Sequence, residues 1–172
     1  MSLPFLPDMI LQDLTQITPE LLRSRGVDTL LLDFDNTIVP YTTNEPTPEM
    51  AAWLRAMQAS PVQLLVVSNS KKPRVQVFCR KYALPCITHA RKPFQKGIRE
   101  ALRTFSLRPE TTALVGDQIY TDVLGANCGG LTSILISAIC NHNFLLKLRH
   151  VAELPWIFWG RRRISRRNRG KL

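Results

Sequence analysis

Apolar residues in this chain keep two alternating rhythms. Runs dominated by Leu, Ile, Val and Ala at 29–34, 62–67, 84–88, 112–115 and 131–136 read as strands, because a strand buried on both faces needs no polar side. Between them the apolar positions recur every three or four residues: Met50, Trp53, Leu54 and Met57 in 48–59, Val75, Phe78, Cys79 and Tyr82 in 72–82, and Phe94, Ile98, Ala101, Leu102 and Phe105 in 94–105. That spacing draws one apolar stripe along a helix, the side that covers a sheet. Ahead of the first strand two short helices are expected, one opening at Pro7 and Asp8 and carrying Met9, Ile10 and Leu14, the next opening at Thr18, Pro19 and Glu20 and stopped by Gly26. A glycine-punctuated helix should run to Gly129 and Gly130, and an amphipathic one with Phe144, Leu145, Leu148 and Val151 should follow the last strand. Strands alternating with helices predict an α/β fold: a mostly parallel sheet of about five strands sandwiched between two helical layers.

Polar residues gather where those strands end. The first run stops at Asp33 and Asp35 with Asn36 and Thr37 beside them, the second at Ser68 and Asn69, the third at the loop His89-Ala90-Arg91-Lys92-Pro93, and the fourth at Gly116-Asp117 with Asp122 close behind. Parallel sheets bind ligands beyond the carboxyl ends of their strands, so these clusters should converge. Asp at a strand-to-turn junction is also ordinary turn chemistry, but four polar strand ends of this kind are not. Asp33, Asp35 and Asp117 would make an all-oxygen site for a hard cation, and Mg2+ suits it because that ion accepts few carboxylates and leaves room for water and phosphate. Ser68, Asn69 and Thr37 can hydrogen-bond phosphoryl oxygens, and Lys92 adds a cation. One carboxylate is then available as a nucleophile toward phosphorus, and a second to move the proton.

Taken in order, DFDNT, SNS, Lys92-Pro93 and GDQIYTD resemble the four motifs of haloacid-dehalogenase (HAD) superfamily phosphatases, over about residues 27–136. The resemblance implies a Rossmann-like core, Asp33 as nucleophile and Asp35 as general acid/base. It places metal ligands on Asp33, the Asp35 backbone carbonyl and Asp117, with Asp122 one layer behind them. Lys92 matches the lysine of the third motif better than Lys96 does. Only 32 residues separate Asp35 from Ser68, and 22 separate Asn69 from Lys92, so neither gap holds a cap domain. An uncapped site can take a phosphate carried on a large body. Within the superfamily, the segments Phe5-Leu6-Pro7-Asp8, Ile17-Thr18-Pro19-Glu20, LLLDFDNTIVP, HARKP and GDQIYTDVLGAN resemble a capless group, subclass IIIA, similar to bacterial, mitochondrial and plastid phosphatidylglycerophosphate phosphatases. That likeness implies Mg2+-dependent removal of the terminal phosphate, leaving phosphatidylglycerol.

Charge alters the picture at one end. The formal net charge is +10, yet seven of the 23 Lys and Arg lie in residues 161–172 without an acid among them, so the remainder carries 16 cations against 13 acids, or +3. Leu154-Pro155-Trp156-Ile157-Phe158-Trp159 precedes that tail, and aromatics beside cations suit the headgroup layer of an anionic membrane. The other readings are aromatics packed on the domain with a solvated tail, or a tail that holds RNA phosphates. The organisation expected is therefore a helical segment at 1–26, a phosphatase domain at 27–155 and an aromatic, then arginine-rich tail at 156–172. No run reaches the roughly 20 apolar residues of a membrane span, and the first residues lack the pattern of a secretory signal. Cys79, Cys86, Cys128 and Cys140 are spaced as free thiols. The chain is thus expected in the cytoplasm, peripherally associated with the inner membrane face. A phosphatase of soluble phosphosugars or nucleotides stays open, as does an RNA- or ribosome-associated basic protein with an idle site; nucleic acid is not the expected partner.

Overall fold

A computed structural model gives the structure of residues 4–139 and 156–159. At its centre β2 (Thr29–Leu32) lies between β3 (Gln63–Val67) and β5 (Thr112–Gly116), parallel to both, with Leu31 level with Leu65 on one side and Leu114 on the other. β6 (Thr132–Leu135) and β4 (Cys86–Ile87) extend the sheet outward. Adding β1 (Met9–Ile10), the six strands run parallel in the order β1-β6-β5-β2-β3-β4.

Side-chain alternation splits the core in two. Leu30 and Leu32 point to the face covered by α2 (Pro48–Gln58) and α3 (Pro73–Lys81), where they join Trp53, Leu54, Val75 and Phe78. Leu31, Leu65 and Leu114 point to the opposite face, where Ile98 and Ala101 of α4 (Lys96–Thr104) and Ala126 of α5 (Leu124–Gly129) close over them. Period-two strands and period-3.6 helices thus assemble the three layers that the sequence predicts. Local chemistry starts the helices where expected: Thr18 caps α1 (Pro19–Ser24) by accepting from Leu21 N, and Thr47 caps α2 by accepting from Met50 N.

The structure corrects the sequence reading at the N-terminus. Residues from Pro7 onward do not form a helix; Met9 and Ile10 add the sixth strand, in register with Ile134 and Leu135. The Asp8 carboxylate accepts from both the N–H and the hydroxyl of buried Ser133, each at 3.1 Å, and Asp8 N donates to Ser133 O at 3.0 Å. These bonds span 125 residues, so no local pattern announces them. Leu14–Gln16 then forms a 3-10 turn capped by Asp13. Phe94 was expected on the buried face of its helix, but α4 begins two residues later and leaves Phe94 74% exposed. The helix expected around Phe144–Val151, Cys140 and the arginine tail lie outside the described residues; among the described residues Cys79, Cys86 and Cys128 are free thiols. No described helix is long and apolar enough to cross a membrane.

Replacing Asp8 with Ala should strand the buried polar groups of Ser133 and lower unfolding free energy by about 1–3 kcal/mol, measured by urea titration.

Candidate active site

Each strand of the central trio releases its polar residues at the same edge of the sheet. Beyond β2, Asp33 N still donates to Val115 O at 2.9 Å, which keeps Asp33 against β5 before the chain turns away. Asn36 makes that turn in the left-handed region (φ 61°), a conformation Asn tolerates, and its Oδ1 accepts from Tyr41 N at 2.9 Å. Beyond β3, Ser68 O accepts from Ala90 N, tying the Ser68-Asn69 turn to the loop that carries Lys92. Two glycines permit the close approaches this needs. A Cβ on Gly97 would collide with Ala90, and one on Gly116 would collide with the Asp122 carboxylate.

Lys92 is the hub. Its side chain is almost wholly buried, and Nζ lies 2.7 Å from Asp33 Oδ1 and 2.7 Å from Asp122 Oδ1. Burial works against the ammonium, but the two carboxylates outweigh it and hold its pKa well above the ordinary lysine value. Burial pushes the Asp33 carboxyl up to about 6 despite the pull of Lys92, with Asp122 adding repulsion. Asp35 is also raised, by burial first, while Arg74, Lys72 and Lys92 oppose the shift. The nearest cation to Asp35 is Arg74, with Nη2 3.5 Å from its Oδ1.

Carboxylate oxygens of Asp33, Asp117 and Asp122 all fall within 4.8 Å of one another. Three clustered carboxylates, two of them paired with Lys92, offer only oxygen donors and fit a hard divalent cation. The Asp35 side chain stands outside this group. Asp122 belongs to the group and also pairs with Lys92, and Gly116, with no side chain, lets its carboxylate lie against the end of β5.

A cavity of about 340 Å3 opens over these residues, lined by Asp33, Asp35, Ser68, Asn69 and Lys92. Lys96 and Arg91 are exposed away from it. Thr37 does not line the cavity. It is fully buried, and its hydroxyl has no hydrogen-bond partner among the described residues. Asn69 differs from expectation as well: Oδ1 accepts from Lys92 N at 2.6 Å and Nδ2 donates to Lys92 O at 2.9 Å, so the side chain clamps the lysine's backbone. Tyr41, Asn36, Ser70, Gln118 and Thr121 complete the wall. Gln118 and Thr121 sit inside the GDQIYTD segment and were within reach of a motif reading, whereas Tyr41 and Arg74 carried no local signal.

The HAD-hydrolase-like family model matches residues 89–138, from the Lys92 loop through β6. Over 150 residues, 87% of each chain, the sequence is 36% identical to a Bacillus subtilis protein named "Probable phosphatase YqeG". The chain belongs to the HAD phosphatases. Among solved structures, 3-deoxy-D-manno-octulosonate 8-phosphate phosphatase from Yersinia pestis superposes with a TM-score of 0.52 at 15% identity, covering 78% of this chain and 76% of that one. The cobalt-bound form of the corresponding Haemophilus influenzae enzyme gives 0.51 at 11% identity, covering 72% and 85%. Both share the HAD fold. HAD phosphatases use a divalent metal, and the acid cluster lies where that fold gathers its polar strand ends.

Gly116→Ala should drive Asp122 off Lys92 and out of the acid cluster. We expect Mn2+ or Mg2+ affinity, read by calorimetry, to fall at least about tenfold, with a loss of about 1–3 kcal/mol in stability.

Proposed function

We propose that this HAD phosphatase is a Mg2+-dependent phosphomonoesterase that removes the terminal phosphate of phosphatidylglycerophosphate at the inner face of a membrane. The observation carrying the chemistry is the buried Lys92 ammonium that grips one oxygen of Asp33 while Asp35 stands in the same open cavity. With Oδ1 held by Lys92, Asp33 presents its other oxygen to phosphorus. Attack forms an aspartyl-phosphate, and the departing alkoxide takes its proton from Asp35. Asp35 then accepts a proton from water, whose oxygen attacks the same phosphorus and releases phosphate and free Asp33. The raised pKa of Asp35 suits a group that must hold a proton in the first step and receive one in the second. Ser68, on the cavity wall, contributes a hydroxyl to a phosphoryl oxygen, and Asn69 fixes Lys92. A divalent cation held by Asp33, Asp117, Asp122 and the Asp35 carbonyl would supply positive charge against the phosphoryl group.

Two observations support the lipid. The described residues between the motifs form no cap domain, and an aromatic cluster starts one residue before the cavity residue Thr121 in sequence: Phe5 packs on Tyr120 (5.8 Å) and Trp156 (5.2 Å). Trp159 packs edge-on against Trp156 (6.3 Å), Phe158 and Trp159 are 52% and 56% exposed, and the arginine-rich sequence follows. Near an anionic surface such cations contribute about 1 kcal/mol each.

Phosphate release from phosphatidylglycerophosphate in anionic vesicles, compared with a panel of soluble sugar and nucleotide phosphates, tests this reading. Activity should require Mg2+, vanish with EDTA, favour the lipid, and drop at least about a thousandfold in Asp33→Asn. Full turnover in that variant would sink the mechanism, and preference for a soluble ester would sink the substrate.

A further inference from the structure

Beyond the reacting centre, the loop after Asp35 builds a second polar station at the cavity mouth. Tyr41 is anchored at both ends of its backbone: its N–H donates to Asn36 Oδ1 at 2.9 Å, and its carbonyl accepts from Arg74 Nη1 at 2.8 Å. Arg74 also donates to Pro40 O at 3.1 Å, and its guanidinium sits 5.1 Å from the Phe34 ring centroid. The Tyr41 side chain is therefore presented from a fixed frame, on the wall of the catalytic cavity. Lys72 meets it there. Its Nζ donates to Tyr41 Oη at 3.0 Å and lies 4.6 Å from the ring centroid, while its backbone N–H is held by Ser70 Oγ at 3.2 Å.

Charge distinguishes this lysine from the others around the site. Lys92 faces two carboxylates and Arg74 faces Asp35, whereas the Lys72 ammonium has no carboxylate within ion-pair distance among the described residues. Since Tyr41 Oη accepts from Lys72, its own proton is free to point at an incoming oxygen, and the ammonium keeps further N–H donors. An anchored O–H beside an unpaired ammonium matches an anionic oxygen group.

We propose that Lys72 and Tyr41 form a subsite for a second phosphate group of the substrate, one that is bound but not hydrolysed. The inference rests on the phosphomonoesterase reading and deepens it. A phosphodiester one glycerol away from the reacting phosphate has this chemistry, and so does the second phosphate of a soluble bisphosphate.

Steady-state kinetics of the full chain with Mg2+ separate these cases. Short-chain phosphatidylglycerophosphate, fructose 1,6-bisphosphate and glycerol 3-phosphate serve as probes. In Lys72→Ala the kcat/KM ratio of a two-phosphate probe over glycerol 3-phosphate should fall about tenfold, through KM, and Lys72→Arg should restore most of it. Tyr41→Phe should lower the same ratio by about threefold. A fall confined to the lipid assigns the subsite to a phosphodiester; one confined to the bisphosphate assigns it to a soluble second phosphate. An unchanged ratio in Lys72→Ala, or a loss carried by kcat alone, overturns the subsite. Failure of the unaltered chain to release phosphate from any probe would instead overturn the phosphomonoesterase reading.

Discussion

A buried ammonium between two buried carboxylates governs this molecule. Lys92 cannot sit in the interior without Asp33 and Asp122, and those acids cannot lie so close together without a cation. Removing one member of such a group leaves an uncompensated charge, which typically costs about 3–5 kcal/mol. The nearby structure is shaped to hold the arrangement. Asn69 fixes the lysine's backbone on both sides, Gly97 lets the Ala90 turn press against α4, and Gly116 clears space for the Asp122 carboxylate. Asp117 brings a third carboxylate to the same place, so the described cluster offers a set of oxygen donors that could hold a divalent cation.

The sheet explains why the acids meet at all. β2, β3 and β5 are parallel neighbours, so their carboxyl ends share one edge, and after its first residue each strand carries no polar side chain until that edge. Charge in mid-strand would face a packed core on either side. Displacing it to the strand ends keeps the interior dry and focuses the acids in one place. HAD phosphatases use this edge for phosphoryl chemistry, and here the described residues between the motifs form no cap domain over it.

An open edge needs other means of recognising its substrate. The Tyr41 loop, strapped down by Arg74 and Asn36, borders the cavity, while Phe5, Tyr120 and Trp156 form an aromatic cluster one residue along the chain from the cavity residue Thr121. The first offers charge and hydrogen bonds, the second an apolar surface.

The chain's own pattern determined the layered α/β architecture, the helix starts at Pro19 and Pro48, and the four polar strand ends with Asp33, Asp35, Lys92 and Asp117 among them. These follow from period, capping and turn chemistry, which act over a few residues. What reaches across the chain was decided only by the tertiary structure. Met9–Ile10 became a strand because Ser133, far away in sequence, receives Asp8. Asn69 became a clamp because the Lys92 loop passes within hydrogen-bond reach, and Thr37 went into the interior because the turn at Asn36 carries it inward. Asp122 entered the acid cluster because Gly116 has no side chain to keep it out. Tyr41 acquired its place through Arg74 of α3, a residue that reads locally as surface charge. Local pattern names the groups that can do chemistry; long-range packing decides which of their atoms face the cavity.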